Sequence, residues 1–284
     1  MKKLVQRLLM FAVGLPLVVC IVVLLPQKNH LAVNIAVIIL SVLGSLEFSD
    51  MLKRKKKGIL LPEVIILGAL GPLAATISVS FGFGGEVIPA AFIFGASWLL
   101  VSRIFLSEAK LTDVIDIVSS GFSIMIYPGL FMVWIIRMGR LPNATMILLM
   151  FLLTVIANDS LAWAVGMLFG RGNRGIIAAS PNKSIAGFAG GFAGSILIGI
   201  GGTIFVPSAF TATAIPSVAA GIILGLFTGA AGSLGDLAES ALKRSSNIKD
   251  SGSIIPGRGG VLDTIDSISL AAPVFYSLYW LLFL

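Results

Sequence analysis

The sequence predicts an all-α polytopic membrane protein of about nine transmembrane helices, with the N-terminus cytoplasmic and the C-terminus outside. Three observations carry this. The 284 residues are 57% hydrophobic and only 12% charged, against about 25% charged in soluble domains, and the mean hydropathy is +1.04. Apolar stretches of about twenty residues, enough for a ~30 Å hydrocarbon core, recur along the chain. Basic residues then gather in alternate connecting segments.

The stretches run roughly over 5–25, 31–52, 59–80, 87–106, 114–136, 144–169, 185–206, 215–235 and 267–284. In the first, Lys2, Lys3 and Arg7 precede an apolar core, as in a signal peptide. The run is long, however, and Leu24-Leu25-Pro26-Gln27 offers no small-residue cleavage site, so a retained helix is expected. With the N-terminus inside, the inner segments hold Lys2, Lys3 and Arg7, the run Lys53-Arg54-Lys55-Lys56-Lys57, Arg103, Lys110, Arg171, Arg174, Lys183, Lys243, Arg244, Lys249 and Arg258. Of the 20 basic residues only Lys28, Arg137 and Arg140 fall outside, an asymmetry that decides the orientation. The lysine run reads as a topology anchor for anionic headgroups. The polar loops 170–184 and 243–260 then share the cytoplasmic side.

Composition also narrows the chemistry. The single cysteine, Cys20, lies in an apolar run and supports neither a disulfide framework nor a Cys/His metal site. His30, the one histidine, sits beside Asn29 in a short loop, so acid–base work falls to carboxylates, lysines or a metal. The net charge of +7 is explained by the membrane-flanking loops, and nucleic acid is not an expected partner.

Residues 1–140 read as scaffold helices with room for lipid or dimer contacts, and 141–284 as the catalytic region. From about residue 158 glycine and serine become dense. Gly187 and Gly191, and Gly221, Gly225 and Gly229, recur at i, i+4 and form faces on which backbones approach closely; such faces also permit a homodimer. Asp159 lies at membrane depth, where a carboxylate is costly and supports a site. The loop Ser180-Pro181-Asn182-Lys183-Ser184 precedes a glycine-rich helix; a Ser or Asn there caps it, and a lysine beside free N–H groups suits an anion.

The densest charge lies between 236 and 266: Asp236, Glu239, Lys243, Arg244, Lys249, Asp250, Arg258, Asp263 and Asp266. Asp236, Glu239 and Lys243 share one helix face, as do Asp263 and Asp266. Between them runs Ser251-Gly252-Ser253-Ile254-Ile255-Pro256-Gly257-Arg258-Gly259-Gly260, a loop able to expose successive N–H groups. Carboxylates from two helices suit a Mg²⁺ carried by substrate phosphates, and the cations around them suit phosphate charge and a pyrophosphate leaving group.

These residues resemble the phosphatidate cytidylyltransferase (CDP-diacylglycerol synthase) family. The resemblance rests on Gly235-Asp236-Leu237-Ala238-Glu239-Ser240-Ala241-Leu242-Lys243-Arg244, Lys249-Asp250-Ser251-Gly252, Pro256-Gly257-Arg258-Gly259-Gly260 and Asp263-Thr264-Ile265-Asp266. Upstream, Ser180-Pro181-Asn182-Lys183-Ser184 with Gly187 and Gly190-Gly191 also fits, and Asp159 matches an acidic residue before that loop. The motif-bearing match covers about 158–267. Arg258 stands where the family usually has His, Thr264 where it has Arg, and Ile185-Ala186 where it has Trp-Glu.

The resemblance implies CTP and phosphatidate as substrates and CDP-diacylglycerol and pyrophosphate as products, made at the inner (plasma) membrane with the site facing the cytoplasm. It implies Asp236 and Asp263 as ligands of Mg²⁺, with room for a second cation, and Asp266 or Glu239 in outer support. Lys243 would act on the transferring phosphate. Ser180, Asn182, Lys183, Ser184, Arg244, Lys249, Asp250, Gly257, Arg258, Gly259 and Gly260 would contact the triphosphate or the lipid head. A transporter, or another nucleotide-dependent lipid phosphotransferase or kinase, would use some of the same parts. Against these, no inverted halves, Gly-x4-Gly-Lys-Ser/Thr loop or Asp-Gly-x2-Ala-Arg pattern occurs.

Overall fold

The computed structural model describes residues 2–55 and 58–284; of 2–11 and 109–110 it describes the backbone alone. The side chains of Lys2, Lys3, Arg7 and Lys110, and all of Lys56 and Lys57, therefore lie outside the described residues. The described chain is helical throughout, with only two isolated bridges, Arg174 with Ser184 and Ile255 with Gly259. It divides into two compact units, one holding residues up to Arg140 together with Ser245–Ile265, the other Leu141–Arg244 and Asp266–Leu284.

The first unit begins with α1 (Lys2–Leu24) and α2 (Gln27–Arg54). Lys28, Asn29 and His30 have left-handed backbone angles, so regular helix starts at Leu31 and His30 sits buried in the turn. Next come α3 (Leu61–Phe81), α4 (Val87–Val101) and the short α5 (Glu108–Leu111). A longer span follows, made of α6 (Val114–Ile124), a π-helical segment at Met125–Leu130 and α7 (Phe131–Met138). The π segment contains Pro128, which cannot donate to the ladder. The Ser41 hydroxyl on α2 lies 2.7 Å from the carbonyl oxygen of Gly68 and also against that of Pro128, and its single hydrogen serves one of the two.

The second unit contains α8 (Ala144–Phe169), α9 (Ile185–Phe205), the short α10 (Pro207–Phe210), α11 (Ser217–Ser245) and most of α12 (Leu262–Phe283). Its glycines let helices touch backbone to backbone. A Cβ on Gly187 would stand 2.9 Å from Ala162 O, one on Gly191 2.9 Å from Asn158 O, and one on Gly225 2.8 Å from Ile196 Cα. The i, i+4 glycine faces are thus filled inside this unit, and offer no argument for a homodimer. At its far end Tyr279 donates to Ala209 O (2.6 Å) and stacks with Phe275 and Phe283.

Among the described residues, seven helices are long and apolar enough to cross a membrane, and Val87–Val101 is apolar but shorter; in α1, whose side chains are described only from Ala12 on, Ala12–Leu24 is apolar. The fourth expected span, 87–106, is regular helix over Val87–Val101, and just beyond it Arg103 pairs with both carboxylate oxygens of Glu63 on α3, both bonds 2.7 Å. The helix α11 runs ten residues past the apolar stretch ending at 235, so Asp236, Glu239 and Lys243 are helical, as their spacing predicts, and Arg244 with them.

From Ser245 to Ile265 the chain packs with the first unit, where Ser246 donates to Met51 O (3.3 Å). The seven apolar spans make this an integral membrane protein.

Candidate active site

In the second unit, the loop before α9 is shaped by its own backbone. Gly175 N donates to Pro181 O (2.9 Å), Lys183 N to Ser180 O (3.1 Å) and Ile185 N to Asn173 O (3.2 Å). Ser184 is the N-cap of α9, accepting from Gly187 N at 3.0 Å while 3% exposed. That is the cap expected from sequence, and it turns Ser184 Oγ toward its own helix. Ser180 is half-buried and Asn182 exposed.

The folded loop meets the C-terminal part of α11. Lys183 Nζ lies 2.6 Å from Asp236 Oδ2 and 5.6 Å from the centre of the Phe188 ring. Arg244 Nε donates to Ala179 O at 3.4 Å. Further along the same face, Lys243 pairs with fully buried Glu239 one turn earlier, and Ser240 Oγ stands 3.5 Å from Asp236 Oδ1. A buried cation–carboxylate pair needs this kind of close partner to offset desolvation.

Two more carboxylates approach. Asp266 on α12 is buried and within electrostatic reach of Asp236, Asp159 and Lys243; its Oδ1 accepts from Ser267 N. Asp159 on α8 is steadied by Asn158, whose Nδ2 lies 3.4 Å from Asp159 Oδ1 and donates to Ser233 Oγ on α11 at 3.1 Å. Sequence reasoning had not picked out Asn158 or Ser233. Three acids from α8, α11 and α12 thus gather with Lys183 and Lys243. Among the described residues no three acidic, His or Cys side chains form a metal cage by themselves.

In the first unit, the loop 251–260 is a tight hairpin. Ile255 N donates to Gly259 O (2.8 Å), and Arg258 N to Ile255 O (3.2 Å) around Pro256-Gly257. Gly257 at φ +79° fits the third position of such a turn, where Pro precedes it. Gly259 at φ +114° lies where a Cβ would stand 2.6 Å from Asp263 Oδ2. Lys249, Asp250 and Arg258 are exposed on this loop.

Asp263 acts on the loop itself. Its Oδ2 accepts from Ser251 N (2.8 Å) and Gly260 N (2.7 Å), and Ser251 Oγ lies 2.8 Å from it. The N–H of Gly260, expected to be open to substrate, therefore has an internal partner.

A second carboxylate shares the work, and it went unnoticed in the sequence. Glu47 on α2 accepts from Val261 N (2.9 Å) and Leu262 N (2.8 Å), and lies 2.9 Å from Ser251 Oγ. Its signal was present: like Asp159, Glu47 is an acid inside an apolar stretch.

The Cytidylyltransferase family's sequence model matches residues 5–282. A Bacillus subtilis phosphatidate cytidylyltransferase is 32% identical over 85% of this chain and 87% of its own. One from Staphylococcus saprophyticus is 31% identical over 74% of this chain and 76% of its own. One from Haemophilus influenzae reaches 39% identity over 47% of this chain and 46% of its own. With the family match running almost from end to end, this chain belongs to the cytidylyltransferase family.

Proposed function

We propose that this chain is a phosphatidate cytidylyltransferase of the inner (plasma) membrane, converting CTP and phosphatidate to CDP-diacylglycerol and pyrophosphate. The observation that carries the reading is the meeting of Lys183 with Asp236 beside Asp159 and Asp266, with Lys243 in electrostatic reach. Such a mixture of acids and lysines suits phosphate oxygens and the charge that develops on them.

In the step proposed, an oxygen of the phosphatidate monoester forms a bond to the α-phosphorus of CTP. The bond from that phosphorus to the bridging oxygen breaks, and the electron pair leaves with pyrophosphate. The monoester is already a nucleophile near neutral pH, so no histidine base is needed; His30 is buried in the turn that opens α2. Lys243, held by Glu239, faces the transferring phosphate, and Lys183 holds an adjoining one. Arg244, Lys249 and Arg258 attract the triphosphate or the lipid head.

The donor set fits Mg²⁺, which takes one or two protein carboxylates and keeps waters and substrate oxygens. Asp236 and Asp266 would hold the ion with Asp159 in support, and when bound it would neutralise charge on the leaving pyrophosphate. Glu239 is committed to Lys243. Asp263, already holding the loop through Oδ2, is proposed to shape that loop more than to bind metal. An N-terminus inside places loops 170–184 and 243–260 on the cytoplasmic side, where CTP is found.

The test uses purified protein in detergent–phosphatidate mixed micelles. Pyrophosphate release is expected with CTP and Mg²⁺, not with ATP, and is expected to vanish with EDTA. Asp236→Asn should lower it by about 100-fold. Release supported equally by ATP, or unaffected by EDTA, would overturn the nucleotide and metal parts of the proposal respectively.

A further inference from the structure

The sequence that starts α12 cannot cap it. Helix N-termini leave N–H groups without intrahelical partners, and a Ser, Thr, Asp or Asn at the N-cap usually answers one of them. Here Gly260-Val261-Leu262 offers no such side chain. Glu47, more than 200 residues earlier, takes the N–H groups of Val261 and Leu262, and Ser251 Oγ takes that of Asp263 (3.2 Å). A negative charge at this end of a helix is also favoured by its dipole.

Glu47 is 7% exposed, and its approach requires two of the glycines. A Cβ on Gly252 would stand 2.8 Å from Glu47 Cδ, and one on Gly260 2.7 Å from it. Ser251 joins Glu47 to Asp263, since its Oγ lies within 2.9 Å of a carboxylate oxygen of each. The turn carrying Gly257, Arg258 and Gly259 therefore hangs between two carboxylates, one on α2 and one on α12.

We infer that Glu47 is a positioning residue for the cytidylyl transfer, a remote cap from α2 that fixes the 251–262 loop and the first turn of α12. The inference rests on the reading of the chain as a phosphatidate cytidylyltransferase. The hydrogen bonds of Glu47 described above run to the loop and the helix start, and it acts through where they stand. Glutamine in its place keeps one accepting oxygen but turns an NH₂ toward an N–H or hydroxyl donor. The loop should then loosen while the helices remain packed.

The experiment compares wild type, Glu47→Gln, Glu47→Asp and Ser251→Ala, each as full-length protein in detergent. Amide hydrogen exchange across 251–265 and kcat and KM for CTP are measured per folded molecule. Glu47→Gln should speed exchange at Val261 and Leu262 while leaving α8 and α9 protected, and lower kcat by about 10- to 100-fold, the size expected of a small misplacement. Ser251→Ala, which removes one of the links, should show a smaller change in the same direction, and Glu47→Asp should fall between wild type and Glu47→Gln. Unchanged exchange in Glu47→Gln would overturn the cap. Faster exchange with unchanged kcat per folded molecule would overturn the positioning role, leaving a purely structural one. Failure of the functional reading would show separately, as a wild type that makes no CDP-diacylglycerol.

Discussion

Lys183 Nζ and Asp236 Oδ2 lie 2.6 Å apart, joining the loop before α9 to the C-terminal part of α11. Both side chains are part-exposed, at 24% and 35%, so the pair adds little to stability, on the order of 0.2–1 kcal/mol. Its weight should fall on chemistry. Lys183→Met is expected to lower kcat/KM by about 100-fold with a thermal midpoint near that of wild type. Thermal unfolding in detergent beside a pyrophosphate assay checks both halves. A large loss of stability with little loss of turnover would contradict this role.

Ser184 should behave in the opposite way. Its hydroxyl caps α9 through Gly187 N while almost fully buried. Ser184→Ala is expected to destabilise the protein by about 0.5–2 kcal/mol, with turnover per folded molecule changed less than in Lys183→Met. Denaturation midpoints against specific activity separate the two.

Gly225 tests the packing of α9 on α11. A Cβ there meets Ile196 Cα at 2.8 Å, and backbone cannot move aside as a side-chain tip can. Gly225→Ala should cost about 1–3 kcal/mol, read as a lower midpoint in fluorescence-detected size-exclusion after heating.

The Glu63–Arg103 pair of the first unit is nearly buried, its side chains 11% and 8% exposed. Removing one partner leaves a buried charge, so Arg103→Ala should destabilise by about 3–5 kcal/mol, whereas replacing both by apolar residues should cost much less. A double-mutant cycle by thermal unfolding checks the difference. Equal losses in the single and double variants would count against a buried pair.

The helices were legible because span length is written directly in hydropathy. The stretch expected at 144–169 and the helix Ala144–Phe169 coincide. Ends were less legible where polar residues continue a helix past the apolar run, as with Asp236 to Ser245 on α11. In the stretch expected at 87–106, hydropathy cannot see that Arg103 reaches Glu63, forty positions away. At the site, Asp236, Asp266, Lys183 and Lys243 stood out through charge density and motif spacing.

Glu47 did not stand out, since its partners are backbone N–H groups over 200 residues on, and no local pattern marks them. Nor does any local pattern mark the hold of Asp263 on Ser251 N and Gly260 N, which depends on a turn whose closure only the three-dimensional structure displays.

Cytidylyl transfer is distinguished from other phosphoryl chemistry by following the phosphorus atoms of CTP. Protein in phosphatidate mixed micelles is given CTP labelled at the α-phosphorus, and in parallel CTP labelled at the γ-phosphorus. The α label is expected to enter the lipid as CDP-diacylglycerol while the γ label leaves, in equal amount, as pyrophosphate. A lipid that acquires the γ label, or one that acquires neither from folded protein, would contradict cytidylyl transfer.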